Sequence, residues 1–183
     1  IILNNQDEIL CDMLVVGIGV SPNIDLLSNT SLFNENGIEV DQYCQTKIND
    51  VFAIGDISLF SSNFFNKTVK EESWNNAEKQ AYVVSQNIIG NKIMYNEIPW
   101  FWTDQFKNNL QILGDIDKYD RCIDRSYSDN KMIKFFIQNN KIRGAFAINN
   151  GRDIKITKRI ITNNLEIKLS QLEDININLK TII

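Results

Sequence analysis

Gly55 and Asp56 are residues that could do binding chemistry, because they directly follow the apolar run Val51–Ile54. Such a run predicts a buried strand, and the carboxyl edge of an open α/β sheet is where ligands bind. Glycine lets a ligand approach the backbone, and the Asp56 carboxylate can accept hydrogen bonds from sugar-like hydroxyls. Taken alone, the pair more often marks an ordinary turn in which Asp caps a helix.

A second candidate is the start of a predicted helix, which runs from about Trp74 to Ile89 and follows Glu72 and Ser73. A helix start favours anions, because its first N–H groups lack partners and the helix dipole is positive there. Asn75 with Glu78 resembles a capping box, and Gly90 is typical of a helix end. Ala77, Ala81, Val84 and Ile88 predict the buried face of this helix. An ordinary capped helix with a core tryptophan explains the same residues.

Three aromatic residues in the segment Pro99–Gln105 form the third candidate: Trp100, Phe101 and Trp102. They cannot all enter one small core, so they predict either a hydrophobic lid over a domain joint or a flat wall beside a planar ligand.

Composition excludes several kinds of chemistry. The chain has 183 residues and no histidine, so no His-based triad, base or metal ligand exists within it. Cys11, Cys44 and Cys122 are scattered, which disfavours zinc and iron–sulfur sites and predicts idle thiols in a reducing cytoplasm. A net charge of -4 disfavours nucleic-acid binding, and no apolar run is long enough to cross a membrane. Redox chemistry would therefore need an organic cofactor.

The elements that position these residues divide into two groups. The first half reads as the tail of an α/β domain, with strands at Met13–Val16, Gly37–Asp41 and Val51–Ile54 and an irregular loop from Leu59 to Lys70. The second half reads as a small α+β domain with a mainly antiparallel sheet. Its predicted strands are 110–113, 119–126, 132–138 and 141–148, with a hairpin turn at 138–140 and a helix at 152–162.

Four strings in order resemble one family, the FAD-dependent NAD(P)H:ferredoxin reductases of the putidaredoxin-reductase type. Thr46–Asp56 resembles the second FAD motif of flavoproteins with two dinucleotide-binding domains, and Pro99–Gln105 resembles the PWFWSDQ segment of that family. The Glu72–Ala77 segment resembles its flavin-facing helix start. Gly17-x-Gly19 lacks the third glycine of a phosphate loop and resembles the strand that closes the NAD domain. Further matches are Tyr119–Arg121 and Gly144–Asn149.

The resemblance implies a fold, cofactors and site residues. It implies the end of an NAD(P)-binding domain at 1–22, the C-terminal part of an FAD-binding domain at 23–97, and a reductase C-terminal domain at 98–183. It implies FAD and NAD(P)H as cofactors, with no catalytic side chain and no metal. Asp56 would bind the ribityl and phosphate region, Trp74 would lie against the flavin, Glu72 would face the nicotinamide and Trp102 would wall the ring. The implied cofactor-binding set is Gly17, Gly55, Asp56, Glu72, Ser73, Trp74, Ala77 and Trp102.

The implied activity is electron transfer to an iron–sulfur ferredoxin that serves a cytochrome P450 or a ring-hydroxylating dioxygenase. The glycine-rich loops of the family are expected upstream of Ile1, so this chain is expected to be a C-terminal fragment that binds FAD weakly by itself. A flavoprotein like apoptosis-inducing factor or rubredoxin reductase is the first alternative. A cofactor-free interaction module, which docks ferredoxin or forms a homodimer, is the second.

Overall fold

The computed structural model describes residues 1–182, which form two sheets, each covered by helices. A three-stranded sheet has the order β1-β2-β3, with β1 and β2 parallel and β2 and β3 antiparallel. A five-stranded sheet has the order β4-β5-β8-β7-β6 and is antiparallel throughout. The strands are β1 Ile38–Val40, β2 Ser58–Ser62, β3 Lys67–Lys70, β4 Trp100–Gln105, β5 Asn108–Gly114, β6 Arg121–Ser128, β7 Lys131–Gln138 and β8 Lys141–Ile148. The helices are α1 Trp74–Ile88, α2 Gly151–Thr162 and α3 Leu169–Glu173, with 3₁₀ turns at Asp25–Leu27, Gly55–Ile57 and Leu179–Ile182.

The five-stranded sheet forms the larger core, as its period-two apolar pattern predicts. Ile133, Phe135 and Ile137 alternate along β7 and are buried, and Ile154 and Ile160 of α2 belong to the same buried cluster. The turn between β7 and β8 places Asn139 and Asn140 at φ 50° and 59°, the left-handed values of a type I′ hairpin. The predicted α+β domain with an antiparallel sheet is confirmed.

Of the two predictions that concern the three-stranded sheet, one is correct and one is wrong. The predicted strand at 37–41 is confirmed as β1, but the predicted loop from Leu59 to Lys70 is the β2–β3 hairpin. Ser58, Phe60 and Ser62 are all buried in β2. Because two of these three inward positions hold serine and not an apolar residue, the segment lacks the apolar alternation that predicts a strand.

Two predicted strands are absent from the described residues. Met13–Val16 has no regular structure and is exposed, and Val51–Ile54 makes only an isolated bridge between Phe52 and Gln45. A strand buried on both faces needs neighbouring strands and covering helices, and no ladder in residues 1–182 pairs with either segment.

The predicted helix α1 has the expected ends but a different buried face. Ser73, and not Asn75, caps it: Ser73 Oγ accepts a hydrogen bond of 3.1 Å from the backbone N–H of Asn76. Gly90 follows the helix at φ +91°, as predicted. The predicted apolar face is partly wrong, because Ala81 and Ile88 are exposed although Val84 is buried and Ala77 is half-buried. The buried residues of α1 are Asn75, Asn76, Gln80, Val83 and Val84.

Within residues 1–182, no helix combines the length and the apolar character that a membrane crossing requires.

Candidate functional site

The Gly55–Asp56 pair forms a 3₁₀ turn that packs against the first turn of α1. Gly55 has φ +75°, a left-handed value that favours glycine, and a Cβ there would lie 3.5 Å from Cβ of Ala77. Gly55 is buried, whereas Asp56 is exposed and forms no ion pair within the described residues. The turn therefore presents a free carboxylate beside the helix start.

Gln80 joins this turn to the helix and is a residue that the sequence reasoning missed. The side chain is fully buried, and its Oε1 accepts hydrogen bonds from Gly55 N at 2.7 Å and Ser58 Oγ at 2.9 Å. The available signal was its spacing of four residues from Asn76, which places the two amides on one helix face.

A polar network holds the start of α1. Asn76 donates from Nδ2 to the carbonyl oxygen of Glu71 at 2.8 Å, and Tyr95 donates its hydroxyl to Asn76 Oδ1 at 2.8 Å. Ser73 Oγ donates a hydrogen bond to Glu71 Oε1. The pKa of the Glu71 carboxyl is raised, because burial raises it more than this hydrogen bond lowers it. Glu72 pairs with Lys70 at 2.6 Å. These hydrogen bonds hold the start of α1 in place.

A row of three indoles crosses from α1 to the five-stranded sheet. Trp74 meets Trp102 edge to face at 5.7 Å between ring centroids, and Trp102 stacks on Trp100 at 4.9 Å. The segment at 100–105 is strand β4, which sequence analysis did not predict, and strand alternation puts both of its tryptophans on one face. Trp74 stays 65% exposed, so the row ends in an open indole.

The structure brings together most of the predicted site residues. Gly55 approaches Ala77, Ser73 caps the helix that Trp74 begins, and Trp74 touches Trp102. Asp56 directly follows Gly55 in the sequence, and Glu72 directly precedes Ser73. Gly17 does not join it, because it lies in an exposed segment where an added Cβ would have no neighbour within 4 Å.

The chemistry of this site fits a flavin. Two buried amide nitrogens, Asn75 Nδ2 and Gln80 Nε2, have no hydrogen-bond partner within the described residues. A buried donor without an acceptor lowers the stability of the folded protein, so such groups normally have a hydrogen-bond partner. A helix start, whose first N–H groups lack helical partners, suits a planar ring with carbonyl oxygens and a polyhydroxyl chain when it lies near a free carboxylate and an exposed indole.

Comparisons with known proteins show which families the chain resembles. Residues 100–183 match the family model of the reductase C-terminal domain, and residues 1–81 match that of pyridine nucleotide-disulphide oxidoreductases. The chain is 34% identical over 183 residues to the ferredoxin–NAD(+) reductase component of the anthranilate 1,2-dioxygenase system from Burkholderia cepacia, covering 99% of this chain and 45% of the relative.

Solved structures are similar as well. A ferredoxin reductase from Rhodopseudomonas palustris superposes with a TM-score of 0.89 at 32% identity, over 98% of this chain and 45% of that one. The covalent complex of putidaredoxin reductase with putidaredoxin gives a TM-score of 0.87 at 30% identity, over 98% of this chain and 43% of that one. The chain thus spans less than half the length of each of these proteins.

Proposed function

Because this chain belongs to the family of FAD-dependent NAD(P)H:ferredoxin reductases, we propose that it forms the flavin-facing and partner-facing part of such a reductase. In this proposal residues 1–22 end the NAD(P)-binding domain, 23–97 complete the FAD-binding domain, and 98–183 are the reductase C-terminal domain. The observation that carries the proposal is the meeting of the Gly55–Asp56 turn, the start of α1 and the indole row.

Three of the predicted site residues take a role from their positions. Asp56 would accept hydrogen bonds from the hydroxyls of the ribityl chain, and the open N–H groups near Trp74 would face the electron-rich edge of the ring. Trp74 and Trp102 would wall the ring and exclude water from one side. When bound, FAD would supply the conversion between two-electron chemistry with NAD(P)H and one-electron chemistry with an iron–sulfur protein. No side chain of this chain needs to act as an acid or base.

A cationic stripe on α2 supports a ferredoxin partner. Arg152, Lys155 and Arg159 are exposed, and their spacing of three and four residues places them on one helix face. None of them forms an ion pair within residues 1–182. On a chain of net charge -4, this stripe is a local positive surface for an acidic protein.

The stripe begins close to the indole row. Trp100 donates from Nε1 to Gln111 Oε1 at 3.1 Å. The same Gln111 side chain packs on Gly151, the first residue of α2, where an added Cβ would lie 2.7 Å from Gln111 Nε2. A partner held on α2 would therefore sit near the end of the aromatic path from the flavin.

The first test concerns flavin retention in the complete flavoprotein that contains this chain. Asp56→Ala should lower FAD occupancy after gel filtration about tenfold, which corresponds to one lost hydrogen bond to a charged group. Glu78→Ala is the matched control, because Glu78 is an exposed carboxylate on α1 with no partner in the described residues. Equal occupancy in both variants would remove Asp56 from the site.

The second test concerns the partner. The double variant Arg152→Glu/Lys155→Glu should raise the KM for ferredoxin in NADH-driven stopped-flow reduction by about tenfold at low salt, and less at high salt. Lys47→Glu, an equally exposed charge in the other part of the chain, serves as the control. No ferredoxin reduction by the unmodified protein would refute the activity, and equal KM values would refute docking on α2.

A further inference from the structure

Gln80 occupies an unusual position, because one buried side-chain oxygen holds two separate parts of the chain. Its Oε1 accepts hydrogen bonds from Gly55 N of the 3₁₀ turn at 2.7 Å and from Oγ of Ser58, the next residue after the turn, at 2.9 Å. It also lies 3.5 Å from Nδ2 of Asn76 on its own helix. The side chain is 0% exposed. The partners in and directly after the turn are 25 and 22 residues away in sequence, so this contact is tertiary and not part of the local helix structure.

The orientation of the Gln80 amide follows from its partners. A backbone N–H can only donate, so the atom that faces Gly55 N must be the amide oxygen. The amide nitrogen consequently points elsewhere, and it has no partner within the described residues. The amide oxygen of Gln80 is therefore the atom that connects α1 to the Gly55–Asp56 turn.

The hydrogen bond from Gly55 N to Gln80 Oε1 fixes the distance between the Gly55–Asp56 turn and α1. Gly55 packs against Ala77, so that an added Cβ would lie in van der Waals contact with the Ala77 methyl at 3.5 Å. Gln80 lies three residues further along the same helix, and its bond to Gly55 N holds the turn at this separation. The Asp56 carboxylate and the open N–H groups at the start of α1 thus keep one mutual geometry.

We propose that Gln80 is a positioning residue for the flavin: it locks the Gly55–Asp56 turn onto α1 and so sets the affinity and the electronic environment of the bound ring. This inference rests on the proposed function and adds a residue to it. Gln80 itself acts through the turn.

Two substitutions separate the acceptor role from simple packing. Gln80→Met keeps the approximate volume but removes the acceptor, which leaves Gly55 N–H without a partner. Gln80→Glu keeps an acceptor oxygen facing Gly55 N. Gln86→Met is the matched control, because Gln86 is a half-buried glutamine of α1 whose side chain bonds only to exposed Asn91.

The measurements use the complete flavoprotein, stripped of flavin and titrated with FAD. We expect Gln80→Met to raise the FAD dissociation constant at least tenfold and to shift the visible absorption maxima and the midpoint potential of the bound flavin. Gln80→Glu should bind FAD within about threefold of the unmodified protein, and Gln86→Met should change neither quantity. Gly55→Ala should reproduce the effects of Gln80→Met, since alanine is strained at the φ of +75° of this position and the turn must shift. It replaces Gln80→Met if that variant does not fold.

The outcomes are distinguishable. A lower melting temperature of Gln80→Met with an unchanged dissociation constant and spectrum would overturn the proposal in favour of a structural role. Equal loss in Gln80→Glu and Gln80→Met would overturn the acceptor role. If Asp56→Ala also leaves FAD binding unchanged, the flavin site itself fails, whereas a loss with Asp56→Ala alone sinks only the inference about Gln80.

Discussion

Arg125 should control the attachment of the C-terminal segment. The side chain lies on β6, is 1% exposed, and donates hydrogen bonds to the carbonyl oxygens of Gln171 and Leu172 and of Ile175 and Ile177. Its Nε donates to the Tyr127 hydroxyl at 3.0 Å. One guanidinium thereby satisfies the irregular backbone around the end of α3.

The expected cost of Arg125→Met is large. Methionine fits the space of the aliphatic stem, but four carbonyl oxygens lose a charged donor. Hydrogen bonds to charged groups contribute about 1.5–3 kcal/mol each, and water can replace part of this at the surface. We therefore expect the free energy of unfolding to fall by about 3–5 kcal/mol, the usual cost of breaking a buried charged network.

Arg121 supplies the control for this prediction. It lies four residues earlier on the same strand and also reaches the C-terminal segment, but its partner is the exposed carboxylate of Glu173. Arg121→Met should cost less than about 1 kcal/mol, because exposed ion pairs contribute little. Urea unfolding of residues 1–183 measures both values, and limited proteolysis should cut near 163–178 only in the Arg125 variant. Equal costs for the two variants, or a cost below about 1 kcal/mol at Arg125, would refute the reasoning.

Three further predictions concern the chain by itself. Residues 1–183 alone should hold FAD weakly, because no helix start in the described residues follows a glycine-rich phosphate loop; yellow colour that survives gel filtration would contradict this. Phe106→Asn should raise the free energy of unfolding by about 0.5–1 kcal/mol in urea titrations, since Phe106 is fully exposed at φ +55° and asparagine tolerates that conformation better. Burial, and secondarily the charge of Asp41, raises the pKa of the Cys44 thiol from 9.0 to about 12. The folded chain then keeps a proton that the unfolded chain loses above about pH 9, so stability should fall from pH 9 towards 12, and Cys44→Ala should flatten that decline in pH-dependent melting curves.

The parts of the fold that sequence reasoning predicted are those with local signals. Strands β7 and β8 are rich in apolar residues on either side of an Asn-Asn turn, and α2 has a helical pattern of isoleucines. The parts that it missed depend on distant contacts. The serines of β2 are buried because the strand pairs with β1 and β3, and nothing in the local pattern of 58–62 shows that pairing.

The candidate site also combines residues with a local sequence signal and residues whose role depends on distant contacts. Gly55, Asp56, Trp74 and Trp102 could be chosen from their strings. The structure brings Trp74 and Trp102 into contact, and it packs Gly55 against Ala77 of α1. For Gln80 the sequence offers only its spacing of four residues from Asn76, which does not indicate a hydrogen bond to a turn 25 residues earlier. The face of α1 was mispredicted for this reason: amides are buried where alanines were expected.

The arrangement also separates two tasks that a flavin reductase must perform. The turn at Gly55–Asp56 and α1 belong to the part of the chain that would hold the ring, and α2 belongs to the part that would hold the partner. Trp74 and Trp102 are the direct aromatic contact between these parts. Substitutions at Asp56 should therefore change flavin affinity without changing ferredoxin affinity, and substitutions on α2 should do the reverse. Substitutions in the indole pair should affect the rate of transfer between them, because the two rings form an aromatic contact across these parts.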